Sequence, residues 1–193
     1  MMRGVARTHL VFAALLSLLL VSLTAAPAVG AEPKRYLVTE RFAHKLVNCL
    51  RTGGKVTTDG KCKGYGSGRY SAKRPPLKHS QKISNRVSYP WAARTVKANI
   101  CGHNLAGSTV DKRFRTVGLK HIDNGENIGC STSWSPRRMV ITMARWWFDE
   151  KAWGGPHWKQ LKAWKFKSAG YGVAKMPNGR SRLVVNFYGK SVR

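Results

Sequence analysis

Acidic residues are what this sequence has least of: 8 Asp and Glu stand against 35 Lys and Arg, a net charge of +27 over 193 residues. A charge-balanced or acidic surface is therefore excluded. Glycine (19) and proline (8) are near ordinary usage, which excludes collagen-like and low-complexity chains. A hydrophobic fraction of 42% excludes a disordered polyelectrolyte. Cysteine is also scarce, at four residues, and no Cys-x-x-Cys or Cys-x-x-His spacing marks a zinc site. Neither His-Glu-x-x-His nor Gly-x-Ser-x-Gly occurs, no catalytic Cys/His pairing is evident, and no nucleic-acid module is recognisable. What is left is a very basic globular chain, short enough for one domain.

Two arginines, Arg3 and Arg7, precede an uncharged run from Leu10 to Val29. Ala26-Pro27-Ala28 and Val29-Gly30-Ala31 follow as small-residue cleavage signatures, the layout of a secretory signal peptide over residues 1–31. The alternative is an uncleaved anchor, since the run is about long enough to span a bilayer. Cleavage removes two cations and leaves residues 32–193 at +25, with no further apolar span. All four cysteines lie in that part, an even number that suits an oxidising compartment. Among three possible pairings, the local one, Cys49–Cys62 and Cys101–Cys130, closes the shortest loops, each stabilising by about 3 kcal/mol.

Phe42, Leu46, Val47 and Leu50 predict an amphipathic helix over 40–50. Residues 52–74, rich in Gly, Ser, Thr and Lys, read as an inserted surface loop tied at its base by Cys49–Cys62. A second helix is expected over 80–100, kinked or interrupted at Pro90. A short one follows a capping box at Ser108-Thr109-Val110-Asp111. Ser135-Pro136 opens the clearest helix, with Met139, Met143, Trp147 and Glu150 on one face. Residues 170–175 and 182–188 alternate around Pro177-Asn178-Gly179 as a hairpin, and a further strand is expected within 119–130.

Four of the eight acids, Asp123, Glu126, Asp149 and Glu150, fall in 28 residues, with His103, His121 and His157 nearby. Glu126 sits among glycines and apolar residues, and Glu150 is on the inward stripe. Buried carboxylates need partners, and histidines are the partners at hand.

Cys101-Gly102-His103, Gly125-Glu126-Asn127-Ile128, Trp147-Phe148-Asp149-Glu150 and Gly155-Pro156-His157-Trp158-Lys159-Gln160 come in an order that resembles the CAP superfamily. That group comprises cysteine-rich secretory, antigen 5 and pathogenesis-related 1 proteins. Asn48-Cys49-Leu50-Arg51 resembles its first-helix Asn-x-x-Arg, and Pro76-Leu77 with Ser80 the opening of its second helix. The likeness covers about residues 40–190 and is strongest to secreted bacterial members. It implies a three-layer α–β–α sandwich, an α/β fold with a mainly antiparallel central sheet. It also implies one cleft holding His103, Glu126, Glu150 and His157. Pro156 before the histidine, Trp158-Lys159 in place of Tyr-Thr, and the 52–74 insertion depart from the pattern.

Three functions follow as expectations. The first is a secreted binding protein whose cleft takes a divalent metal such as zinc at His103 and His157, and whose basic surface takes an anionic cell-envelope polymer or lipid. The second is a metal-assisted hydrolase, acting on peptide or glycan, with Glu126 or Glu150 as base. The third is a cationic membrane-active or antimicrobial protein presenting Trp146, Trp147, Trp153, Trp158 and Trp164 among lysines.

Overall fold

The computed structural model describes residues 31–120 and 123–192, and residues 31–193 cluster as one compact unit. The expected signal segment, apart from Ala31, lies outside the described residues, as does His121. In chain order the elements are β1 (Lys34–Arg35), α1 (Leu37–Arg51), β2 (Lys55–Val56), β3 (Cys62–Lys63) and β4 (Lys78–His79). Then come α2 (Gln81–Ile83), a π-helical segment (Ser84–Ser88), α3 (Tyr89–Lys97) and α4 (Val110–Thr116). The last are β5 (Asn124–Ser131), α5 (Pro136–Asp149), a 3-10 turn (Glu150–Ala152), α6 (Pro156–Lys162), β6 (Ser168–Lys175) and β7 (Ser181–Tyr188).

The sheet runs β1-β6-β7-β5, with β5, β7, β6 and β1 antiparallel to their neighbours. The far side of β6 is shared by two dipeptide strands: β1 pairs with Lys175 and Ala174, and β4 pairs in parallel with Ser168 and Ala169. Helices cover both faces. Tyr171, Val173, Leu183, Val185 and Phe187 pack with α1, α5 and α6, while Ala174 and Val184 on the opposite face pack with Trp91, Ala92 and Val96 of α3. This is the expected α–β–α sandwich with a mainly antiparallel sheet.

The second helix is interrupted as expected near Pro90: it widens into a π segment just before the proline, which then sits in the first turn of α3, where no N–H is needed. It stops at Lys97, three residues earlier than expected, with Asn99 left-handed at φ 55°. The π segment lies tightly on β6. A Cβ at Gly170 would come within 2.5 Å of Ile83 and Ser84, and one at Gly172 within 2.3 Å of Ser88. The Gly-x-Gly of β6 is thus a seat for helix backbone.

Other local readings hold with small shifts. Ser135 caps α5, its hydroxyl accepting from the Arg138 N–H, and Pro136 takes the first turn. The cap of α4 is Thr109, one residue later than expected, accepting from the Lys112 N–H. The 52–74 segment is more than a loop, because β2 and β3 pair as a small hairpin within it. Both local disulfides form, Cys49–Cys62 and Cys101–Cys130, with Cα separations of 5.8 and 6.0 Å.

Candidate functional site

β5 is an edge strand whose successive side chains reach opposite layers. Glu126 points toward α4, and its carboxylate is fully enclosed. One oxygen accepts from His103 Nδ1 at 2.9 Å; the other accepts from Arg113 Nη2 at 2.6 Å and Asn186 Nδ2 at 2.9 Å. Asn186 is Glu126's register partner on β7, so the strand pairing itself delivers that donor. His103 arrives by covalent means, two residues after Cys101, whose sulfur is bonded to Cys130 of the same strand.

Arg113 does more than neutralise Glu126. Its Nη1 donates to the carbonyls of His103 and Ser108, and its guanidinium lies 3.7 Å from the centre of the Trp91 ring. Burial pulls its pKa below the ordinary value, and the charge of Glu126 opposes that shift. A buried cation and anion are here mutually compensated and hydrogen-bonded, the condition under which such a pair is tolerated.

The second pair lies where α5 gives way to α6. Glu150, in the 3-10 turn that extends α5, accepts from His157 Nδ1 at 2.6 Å and from the Trp158 N–H at 3.0 Å. Trp147, one turn earlier on α5, stacks on the His157 ring, centroids 5.8 Å apart and planes 19° apart. Pro156 is accommodated simply, as it occupies the first turn of α6, where no N–H is needed. Gly155 is required by space: a Cβ there would lie 2.6 Å from Glu150 Oε2. Gly155→Ala should therefore push the carboxylate off His157 and cost about 1–3 kcal/mol. Urea unfolding measures the cost, and the His157 ring NMR shifts should move toward those of a free imidazole.

The four expected residues thus assemble as two His–Glu pairs. Among the described residues no hydrogen bond runs directly from one pair to the other. They are joined through β5, because Asn127, next to Glu126, reaches to the opposite layer and donates to the His157 carbonyl at 3.1 Å. Sequence reasoning missed Arg113 and Asn186. A polar residue inside the buried run of β7 was the available signal for Asn186; Arg113 had only its neighbour Phe114, a core residue.

Among the described residues no group of three or more His, Cys, Asp or Glu is arranged to hold an ion. His103 and His157 each have Nδ1 on a carboxylate, and Glu126 accepts from three donors. The arrangement orients two imidazoles by their carboxylates, leaving Nε2 of each outside these bonds.

A third cluster was not expected. His44 Nδ1 is 3.2 Å from the buried Tyr171 hydroxyl, His79 Nε2 is 2.9 Å from Ser84 Oγ, and the two imidazole centroids are 5.3 Å apart. Burial, then the neighbouring His79, pulls the His44 pKa down to about 4.

The sheet order and its helical layers make a fold similar to that of an SCP-domain protein. No protein-family model matches the chain, and no curated protein sequence matches it. Among solved structures it is similar to an outer surface protein from Borrelia burgdorferi, with TM-score 0.60 and 13% identity over 83% of this chain and 99% of that one. It is also similar to an extracellular SCP-domain protein from Bacillus anthracis, with TM-score 0.56 and 18% identity over 79% of this chain. The match spans 41% of the Bacillus protein's length.

Proposed function

We propose that this chain is an extracellular binding protein on a CAP-like domain, retaining anionic polymers or lipid head groups of a cell envelope through its cationic surface. The observation that carries this is how the acids are used. Seven of the eight carboxylates are already paired with a base of the same chain: Glu32, Glu40, Asp59, Asp111, Asp123, Glu126 and Glu150. Most of the 35 cations therefore have no carboxylate to offset them, and the field they project is available to a partner. Two disulfides fit an oxidising compartment, and the two structural neighbours, an outer surface protein and an extracellular protein, support the same placement.

The other readings have less support. A general base needs a lone pair facing the reacting proton, and both Glu126 oxygens are engaged by donors inside the protein. For a membrane-active face, the tryptophans are divided: Trp147 and Trp158 are core, Trp146 and Trp153 are exposed, and exposed Trp164 is covered by Arg74 at 4.3 Å. Lys162, a lysine lying between Trp158 and Trp164, donates inward to the carbonyls of Leu50 and Arg51. Among the described residues no helix is long and apolar enough to cross a membrane.

Binding to anionic vesicles or polymers should collapse between 0.1 and 0.5 M salt, as the Debye length falls from about 10 Å to about 4 Å. His103→Ala and His157→Ala should bind as the wild type does. A salt-insensitive interaction that is lost in either variant would instead identify a specific cleft ligand, and the charge-driven reading would fail. Titration by fluorescence anisotropy at several salt concentrations decides between them.

A further inference from the structure

Two cavities, of about 310 and 350 Å³, share Thr58 and Arg145 in their walls. Together they follow α5 from Ser135 to Asp149, so a single groove runs beside nearly the whole helix, about 21 Å at 1.5 Å per residue. One wall is the outer face of α5, where Arg138, Thr142 and Arg145 recur at helical spacing. The other is the inserted 52–74 segment, which contributes Lys55 and Thr58. That wall is fixed in place: Cys62 is bonded to Cys49 of α1, and Gly60 lies so close to Ile141 and Phe42 that a Cβ would meet them within 3.0 Å.

The groove's arginines are held ready. Arg137 lies 3.9 Å from the centre of the Phe42 ring and Arg138 5.7 Å from that of Trp134. Stacked guanidinium groups keep their donor edges free and lose little freedom on binding a carboxylate or sulfate. Four cations, Lys55, Arg137, Arg138 and Arg145, face a single acid, Asp149, at one end.

We infer that this groove binds a linear acidic polysaccharide, with its carboxylate or sulfate groups on the arginines and its hydroxyls on Thr58 and Thr142. The inference rests on the anionic-ligand reading above and gives it a site. Charge alone would also admit single-stranded nucleic acid, but that ligand gains most from aromatic faces on which bases stack. Here Phe42 and Trp134 already carry arginines, so the groove offers alternating charges and hydroxyls rather than platforms.

The test compares two triple variants of equal net charge in the full protein. Arg137→Gln/Arg138→Gln/Arg145→Gln empties the groove; Arg86→Gln/Arg94→Gln/Lys120→Gln removes three exposed cations that line neither cavity. The probes are a fluorescent oligogalacturonate and a single-stranded DNA of matched charge, titrated at 0.1 M salt, with folding checked by thermal melts. The groove triple should weaken oligogalacturonate binding by about tenfold or more and the control by about twofold, while DNA weakens alike in both. Arg145→Gln alone, in the wall common to both cavities, should show the same preference if the triple variant folds poorly. Equal weakening of oligogalacturonate in both triples overturns the groove and leaves the charge-driven reading standing. Tighter, groove-dependent binding of the DNA overturns the polysaccharide assignment. If the wild type binds neither probe, the proposed function falls, and this inference falls with it.

Discussion

Arg113→Ala should destabilise the protein by about 3–5 kcal/mol, the usual cost of stranding a buried charge. The variant leaves the enclosed Glu126 carboxylate with only His103 and Asn186, neither carrying a fixed positive charge. It also strips the Trp91 ring of the guanidinium at 3.7 Å and removes the donor that holds the carbonyls of His103 and Ser108. Much of the loss should return in Arg113→Met/Glu126→Gln, where no charge is buried, the methionine covers the indole, and the amide still accepts from Asn186. Urea denaturation of the wild type, Arg113→Met, Glu126→Gln and the double variant gives the coupling between the two positions. A single-variant cost under about 1 kcal/mol, or a double variant no better than the sum of the singles, would show that the pair is not coupled as described.

The second large effect is acid sensitivity seated away from the His–Glu pairs. His44 is held neutral, with a pKa near 4 against 6.5 in the free side chain, and burial also lowers that of His79 beside it. The groups around them are Tyr171, Asn48, Ser84, Glu40, Arg35 and Arg41; of these Glu40 favours the charged form of His79 and both arginines oppose it. Because the folded pKa is depressed, the unfolded chain takes up the proton first as pH falls. The stability due to His44 is complete above pH 6.5 and is lost as pH falls toward about 4. The full shift corresponds to about 3 kcal/mol; with the side chain partly open to water, about 1–2 kcal/mol is the expected loss. His44→Gln, which cannot titrate, should flatten the stability profile over that window. Equal slopes for wild type and variant between pH 6.5 and 4 would assign the acid response to other groups.

Much of the fold was legible because its signals are local. Ser135-Pro136 needs only one turn of helix to act, and the alternation about Pro177-Asn178-Gly179 needs only two strands. The site was half legible. His103, Glu126, Glu150 and His157 stand out because acids are rare and because they sit in short family-like motifs. Their supporting partners do not. Arg113 meets Glu126 across 13 residues and Asn186 meets it across 60, and among so many cations no single arginine is conspicuous. His44 and Tyr171 meet across 127 residues, each looking in sequence like an ordinary member of its helix or strand. The π segment at 84–88 was also out of reach, because it answers to the backbone seat that Gly170 and Gly172 provide on a strand some 80 residues away.

The divided far side of β6 matters for the protein at high concentration. A central strand ending in an open row of N–H and C=O groups is a template on which a second molecule can add its own strand, the first step toward fibrils. Here the two ends of that row are paired with stubs from different parts of the chain, Lys34–Arg35 and Lys78–His79, and between them the Tyr171 and Val173 N–H groups donate to the side chains of Ser84 and Glu40. Each stub is too short to extend the sheet further and brings basic side chains that repel an approaching copy. The chain thus carries its own guard against self-association along that edge.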